Sequence, residues 1–143
     1  MKNFGGVIVV AAILLGFFFR DITGYSIPEF VGRMFQQEVT PQVLEGMAEE
    51  QNQSLPIVGR DGVAWIDSRA NGMTLQQTYQ VRRFLAPHEV SSARSQAARN
   101  IPSSACADDA TARLLDDGVQ IEYVYLNQDR RKLFSVSVDS SMC

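Results

Sequence analysis

Few side chains in this sequence are of types that carry out chemistry, and their spacing limits what they could do. The single histidine, His88, stands beside Glu89, and the two could act as an acid–base pair. Neighbouring residues on a helix point in different directions, and no nucleophile lies next to the pair. A hydrolase acting on cell wall or lipid would need two of Asp67, His88 and Asp116 to converge in one pocket. We therefore predict no catalytic residue and no enzyme activity.

Two pairs of aspartates bracket one short predicted helix, Asp108-Asp109 before it and Asp116-Asp117 after it. The first pair suits a helix N-terminus, where the helix dipole favours negative charge, whereas the second pair does not. The second pair could bind a cation or face water, and the pattern favours water. One histidine and two cysteines leave no room for a zinc finger or another Cys/His metal site. No nucleotide-binding motif is present, so we predict neither a metal nor a cofactor.

The two cysteines, Cys106 and Cys143, are separated by a predicted helix and hairpin. A disulfide between them would tie the end of the chain to that helix, and it would require an oxidising compartment. Two free thiols and a redox-active pair are the alternatives, but the CxxC spacing of redox proteins is absent. The sequence favours a structural disulfide.

The basic residues form two small patches, Arg82-Arg83 and Arg130-Arg131-Lys132. If the patches converge, they could meet phospholipid headgroups or an acidic partner, although a solvated face is the favoured interpretation. Overall, 13 Lys and Arg residues against 16 Asp and Glu residues give a net charge of -3 and a pI near 5.1. This balance argues against a nucleic-acid-binding protein, which normally carries a basic surface.

The elements that must position these residues begin with an apolar run. Residues 4–19 are sixteen consecutive apolar or glycine positions, which cross most of a bilayer if Lys2 and Arg20 snorkel at the ends. A cleaved signal peptide has the same outline, but the phenylalanines at 17–19 stand where cleavage needs small residues. We predict an uncleaved transmembrane anchor over residues 1–22. Its N-terminus is expected in the cytoplasm, because Lys2 precedes the span.

Residues 23–39 are predicted to form an amphipathic juxtamembrane helix, since Ser26 and Glu29 make a capping box. Its apolar stripe could pack on the domain's own core, contact a partner or lie on the membrane. Within the preceding span, small residues four positions apart permit close helix–helix contact. The candidate partner-binding residues are Ala12, Gly16, Ile27, Phe30, Val31, Met34 and Phe35.

Residues 40–143 are predicted to form one exported α+β domain, a small antiparallel sheet with packed helices. A helix begins at Thr40-Pro41, where a cap precedes an N1 proline. A long hairpin with one solvated face follows, and Asn71-Gly72 supplies its turn. The aromatic side chains of the sheet are assigned to packing: Trp65, Tyr79, Tyr123 and Tyr125.

The second half of the domain is predicted to alternate helices and strands. A polar helix opens at Pro87 and is expected to end before a break at residues 100–104. A second helix is expected to start near Cys106 and to end before Gly118, a glycine suited to a helix C-cap. The last hairpin pairs residues 119–126 with residues 133–138.

From about Thr40 onward, the chain resembles a family of small bacterial envelope proteins to which no activity is assigned. The similar positions are Leu55-Pro56, Trp65-x-Asp67-Ser68, Leu75, Tyr79 and the ending CADDATARLLDDGVQIEYVYLNQDRRKLFSVSVDSSMC. The family's last hairpin turn usually contains Asp-Gly, whereas this chain has Asp129-Arg130-Arg131. The resemblance implies an exported, disulfide-bonded α+β domain and supplies no catalytic residue.

Together these features predict a non-enzymatic, single-pass protein of the bacterial inner membrane with a periplasmic domain. It would act as an accessory or assembly subunit of a membrane protein complex, through a protein partner in the inner membrane or periplasm. The alternative is a periplasmic inhibitor or immunity-type protein that neutralises an incoming enzyme. An inhibitor should still function as a fragment that begins near Thr40, whereas an accessory subunit should need its span.

Overall fold

The computed structural model describes residues 38–59 and 61–143. The predicted anchor 1–22 and residues 23–37 of the predicted juxtamembrane helix lie outside the described residues. So do all the candidate partner-binding residues: Ala12, Gly16, Ile27, Phe30, Val31, Met34 and Phe35. Within the described part, no helix combines the length and the apolar character that crossing a membrane requires.

Three helices and five strands make up the described part of the chain. The first half contains helix α1 (Pro41–Gln53) and strands β1 (Ile57–Val58), β2 (Val63–Asn71) and β3 (Thr74–Val81). The second half contains helices α2 (Pro87–Ala107) and α3 (Asp109–Asp116), strands β4 (Gln120–Leu126) and β5 (Lys132–Val138), and a short 3-10 helix (Ser140–Met142).

The strands form one sheet in the order β1-β2-β3-β4-β5. The predicted α+β class is confirmed, but the prediction of an antiparallel sheet is wrong, because β3 and β4 are parallel. The long helix α2 explains the difference. It carries the chain back along the sheet, so that β4 starts beside the first residue of β3, with Gln120 opposite Thr74. The carboxyl ends of β3 and β4 therefore meet at the same edge.

Local signals set the turns around this sheet. The predicted hairpin is confirmed: β2 ends at Asn71, and Gly72 adopts a positive φ of 60° in the two-residue loop before β3. Gly118 also has a positive φ, 94°, where α3 ends. At the start of α1, the Thr40 hydroxyl accepts the N–H of Val43 at 3.2 Å, as the predicted cap requires.

The helices pack on one face of the sheet, and the other face is polar. Along β3 and β4, alternate residues point into the core, so that Leu75, Tyr79, Ile121, Tyr123 and Tyr125 are buried. The rings of Trp65, Tyr123 and Tyr125 lie 6.4, 6.3 and 5.2 Å from that of Tyr79. The assignment of these aromatic residues to packing therefore agrees with their positions.

The predicted break at residues 100–104 is wrong, because α2 runs continuously to Ala107 with Pro102 inside it. Ile101 and Ala105 are fully buried on either side of that proline, so core packing compensates for the hydrogen bond that Pro102 cannot donate. The chain breaks instead at Asp108, whose carboxylate accepts the N–H and hydroxyl of Thr111 at 3.0 and 2.6 Å and caps α3.

The predicted disulfide joins Cys106 and Cys143, with their Cα atoms 5.5 Å apart. Cys106 lies in the last turn of α2 rather than at the start of a helix as predicted. Cys143 follows the 3-10 helix, so the bond attaches the chain end beyond β5 to α2.

The side chain of Asn52 replaces a missing strand neighbour of β2. Strand β1 pairs with β2 only at Ala64 and Trp65. Further along β2, the Asn52 amide donates to the carbonyl of Ser68 and accepts its N–H, both at 2.8 Å. The end of α1 is thereby joined to the outer edge of the sheet.

We expect Asn52→Ala to lower the free energy of unfolding by about 1–2 kcal/mol, because two backbone groups of Ser68 lose their protein partner. Ser68 is buried, so its N–H and carbonyl are left unsatisfied when the Asn52 amide is removed. Urea denaturation measures the change, with Gln53→Ala, at the neighbouring exposed position, as the control. Equal midpoints for the two variants would contradict this role of Asn52.

Candidate protein-binding site

The residues that sequence reasoning considered for hydrolysis do not form a catalytic group. Asp67 pairs with Thr78 on the polar face of the sheet, opposite the helices. His88 is exposed in the first turn of α2, and Asp116 is exposed at the end of α3. The Glu89 carboxylate accepts the N–H of Ala86 at 3.2 Å, so it caps α2.

The remaining side chains that could carry out chemistry are potential metal ligands and the buried tyrosine hydroxyls. Among the described residues, no three His, Cys, Asp or Glu side chains are grouped as a metal site. Burial raises the pKa of Tyr79, Tyr123 and Tyr125 well above its ordinary value. These hydroxyls therefore stay protonated at neutral pH and do not act as bases.

The structure brings together the two basic patches, as the parallel pairing of β3 and β4 requires. Gln80 of β3 lies opposite Leu126 of β4, and the chain leaves both strands at the same end of the sheet. We call the surface formed there the basic end. It consists of five exposed side chains: Arg82, Arg83, Arg130, Arg131 and Lys132. In open sheets, ligands commonly bind beyond the carboxyl ends of parallel strands.

Hydrogen bonds through Gln128 hold the two segments of the basic end together. The Gln128 amide donates to the carbonyl of Arg82, and the Gln80 amide donates to the carbonyl of Gln128 at 3.2 Å. The N–H of Arg82 also donates to the carbonyl of Gly62 at 2.7 Å. The spacing of the two patches is therefore fixed by the fold.

A shallow groove that is open to solvent lies between these segments. The groove is lined by the apolar side chains of Phe84, Leu85 and Leu133, by Arg83, and by residues 127–129 of the last hairpin turn. Phe84 is 79% exposed, the highest exposure among the large hydrophobic residues of the described chain. Exposed aromatic surface of this kind beside arginines is typical of protein-binding sites.

The Asp61 carboxylate, beside the basic end, is partly buried. Burial raises the pKa of Asp61, and its hydrogen bond from the N–H of Val63 and the positive charge of Arg83 oppose that rise. Within the described residues, the second carboxylate oxygen of Asp61 is buried without a hydrogen-bond partner. Asp61 thus sets part of the local charge balance around Arg83.

Sequence reasoning named both basic patches but missed Phe84 and Gln128. Phe84 stands in Arg-Arg-Phe-Leu-Ala-Pro, after the alternation of β3 has ended and before the helix that opens at Pro87. A large apolar residue in the connection between a strand and a helix was therefore the signal that could have indicated an exposed binding residue. No comparable signal marks Gln128, because its role depends on the pairing of β3 with β4.

The turn beside the groove contains an unfavourable backbone conformation. Arg130 has a φ of 62°, and the Asn127 side chain holds the turn by accepting the N–H groups of Asp129 and Arg131, both at 2.9 Å. Left-handed backbone costs a residue with a Cβ about 1–2 kcal/mol, and glycine avoids this cost.

We expect Arg130→Gly to raise the free energy of unfolding by about 1 kcal/mol, because the strain outweighs the extra freedom that glycine gives the unfolded chain. Urea denaturation checks the prediction. Arg131→Gly, one position further along at a negative φ, serves as the control and should not stabilise. A loss of stability in Arg130→Gly would contradict the strain argument.

The fold is shared with solved bacterial proteins. No family model and no curated protein matches the sequence. A Pseudomonas aeruginosa protein provisionally described as secreted matches with a TM-score of 0.62 and 20% identity, covering 72% of this chain and 91% of that one. The pilotin of the Vibrio vulnificus type 2 secretion system matches with a TM-score of 0.57 and 14% identity, covering 72% and 90%. The type II secretion pilotin of Vibrio cholerae matches with a TM-score of 0.54 and 16% identity, covering 72% of this chain and 91% of that one.

These neighbours agree with the resemblance to small bacterial envelope proteins. The predicted function, an accessory subunit anchored in the inner membrane by a single span, is wrong, because the fold is that of secretion pilotins and a secreted protein. The error has a physical source. The function was inferred from the apolar run at residues 4–19, the predicted helix after it and the lack of catalytic groups, whereas the similarity to these neighbours is one of fold.

Proposed function

We propose that this chain is an assembly factor of a bacterial secretion system, which acts by binding another protein of that system and catalyses no reaction. The observation that carries the proposal is the shared fold with two type II secretion pilotins, matched over 90% and 91% of their lengths. The partner we propose is a secretin.

Features of the described domain support a binding role. The groove is lined by Phe84 and Arg83, and the other exposed cations of the basic end lie nearby, whereas the candidate acid–base residues are separated or serve as helix caps. The disulfide supports work on the oxidising, periplasmic side of the envelope. An extracytoplasmic binding domain needs no further chemistry.

Deletion of the gene in its native bacterium tests the proposal. We expect assembled secretin multimers in the membrane fraction, measured by native electrophoresis and immunoblotting, to fall at least tenfold. Re-expression of the full chain should restore them, and the tagged full chain should co-purify the secretin subunit. Unchanged multimers together with no co-purified secretin would contradict the proposal.

A further inference from the structure

Positive charge is concentrated at one end of a chain whose net charge is negative. Five of the nine Lys and Arg residues in the described part lie at the basic end. Three carboxylates lie in the same region: Asp61, Asp129 and Glu89, the last of which caps α2. Between described residues, the only ion pair within 4.0 Å joins Arg69 to Asp67, away from this end. The cations are therefore in excess there.

The start of helix α2 adds to this positive potential. The helix has 21 residues and begins at Pro87, directly after the segment that carries Phe84. The N-terminal end of a helix carries partial positive charge. Its cap residue, Ala86, has no side chain that could accept a hydrogen bond. The Glu89 carboxylate in the first turn offsets part of this charge, so the five side-chain cations remain the main attraction for an anionic ligand.

The shape of the site favours a peptide over a lipid surface. Phe84, Leu85 and Leu133 form one wall of a concave groove, which can hold a single apolar side chain. Residues 127–129 of the last hairpin turn line the same groove and offer polar groups to a peptide backbone. An exposed aromatic residue beside arginines is also the composition of a binding hot spot.

We infer that the basic end is the docking site for an acidic protein segment, which places one large apolar side chain against Phe84 and its carboxylates against the surrounding arginines. The inference rests on the proposed function in one respect, since it takes the natural segment to belong to the secretion-system partner. Charge complementarity speeds association and makes it sensitive to salt.

The test compares the secretin subunit and a synthetic peptide as ligands of the purified full chain. The peptide has a central leucine pair flanked by glutamates, and in its control lysines replace the glutamates. We expect the acidic peptide alone to bind, with an affinity that falls as salt rises. Arg82→Glu combined with Arg131→Glu, one change from each segment, should weaken both the peptide and the secretin at least tenfold, as should Phe84→Ser.

The matched control is Arg69→Glu combined with Arg99→Glu, which changes the charge equally at two exposed positions away from the groove. Its affinities should stay within twofold of wild type, and circular dichroism should give the same fold for all variants. Secretin binding that survives the changes at the basic end would overturn the inference and leave the proposed function standing.

The remaining outcomes separate the two proposals. If the peptide binds through the basic end and the secretin does not bind, the acidic docking site stands and the proposed partner is wrong. Vesicles containing anionic phospholipid serve as a third ligand. If neither the peptide nor the secretin binds, whether or not the vesicles do, the docking site for an acidic segment is refuted.

Discussion

Loss of the Cys106–Cys143 disulfide is expected to lower the free energy of unfolding by about 4 kcal/mol. The bond closes a loop with a sequence separation of 37 residues, and the chain-entropy estimate for such a loop gives about this value. The loop contains α3, β4 and β5, which include much of the core. Without the bond, the unfolded chain gains freedom, and the chain end beyond β5 loses its covalent link to α2.

Urea denaturation of Cys106→Ala combined with Cys143→Ala measures this loss against the oxidised wild type. Cys143 is exposed, so a thiol reductant reaches the bond. The reductant should therefore lower the stability of the wild type by the same amount and leave the double variant unchanged. A double variant with the midpoint of the oxidised wild type would contradict a stabilising role for the disulfide.

Tyr79→Ala is expected to lower the free energy of unfolding by about 4 kcal/mol. Tyr79 is 3% exposed and lies at the centre of the aromatic cluster, with the rings of Trp65, Tyr123 and Tyr125 around it. Truncating a buried aromatic side chain removes its apolar burial and leaves a cavity, at a cost of about 3–5 kcal/mol. The rings of Trp65, Tyr123 and Tyr125 would lose the ring that they share as a neighbour.

Two further variants separate ring packing from the hydroxyl and from residue type. Tyr79→Phe keeps the ring and loses the hydroxyl that donates to Gln77 at 3.0 Å, so we expect a loss of about 1 kcal/mol. Phe84→Ala truncates an aromatic residue that is 79% exposed, and its unfolding midpoint should stay close to that of the wild type. Equal effects of Tyr79→Ala and Phe84→Ala would refute the assignment of Tyr79 to the core.

Local chemistry made several elements predictable from the sequence. Thr40 and Pro41 marked the start of α1, and Asn71-Gly72 marked the tight turn of the first hairpin. In both places the residue types act within a few positions, through a cap or a positive φ. The alternation of tyrosines in β4 likewise predicted which face is buried.

The predictions were wrong where residues distant in the sequence determine the local structure. Pro102 indicates a break locally, but the buried Ile101 and Ala105 keep α2 intact. The parallel pairing of β3 with β4 depends on how α2 returns the chain, and periodicity carries no information about it. The groove was missed for the same reason, since only that pairing brings Phe84 beside the turn that contains Gln128.

Site-specific photocrosslinking in the native bacterium tests whether Phe84 contacts the secretin. The photoreactive residue p-benzoylphenylalanine would replace Phe84 in the full chain, and, as the control, Met142, which is 51% exposed and lies in the 3-10 helix rather than at the groove. Crosslinked products would be identified by immunoblotting for the secretin and by mass spectrometry. We expect a crosslink to an acidic segment of the secretin from position 84 and none from position 142. No secretin crosslink from position 84, or equal crosslinks from both positions, would contradict it.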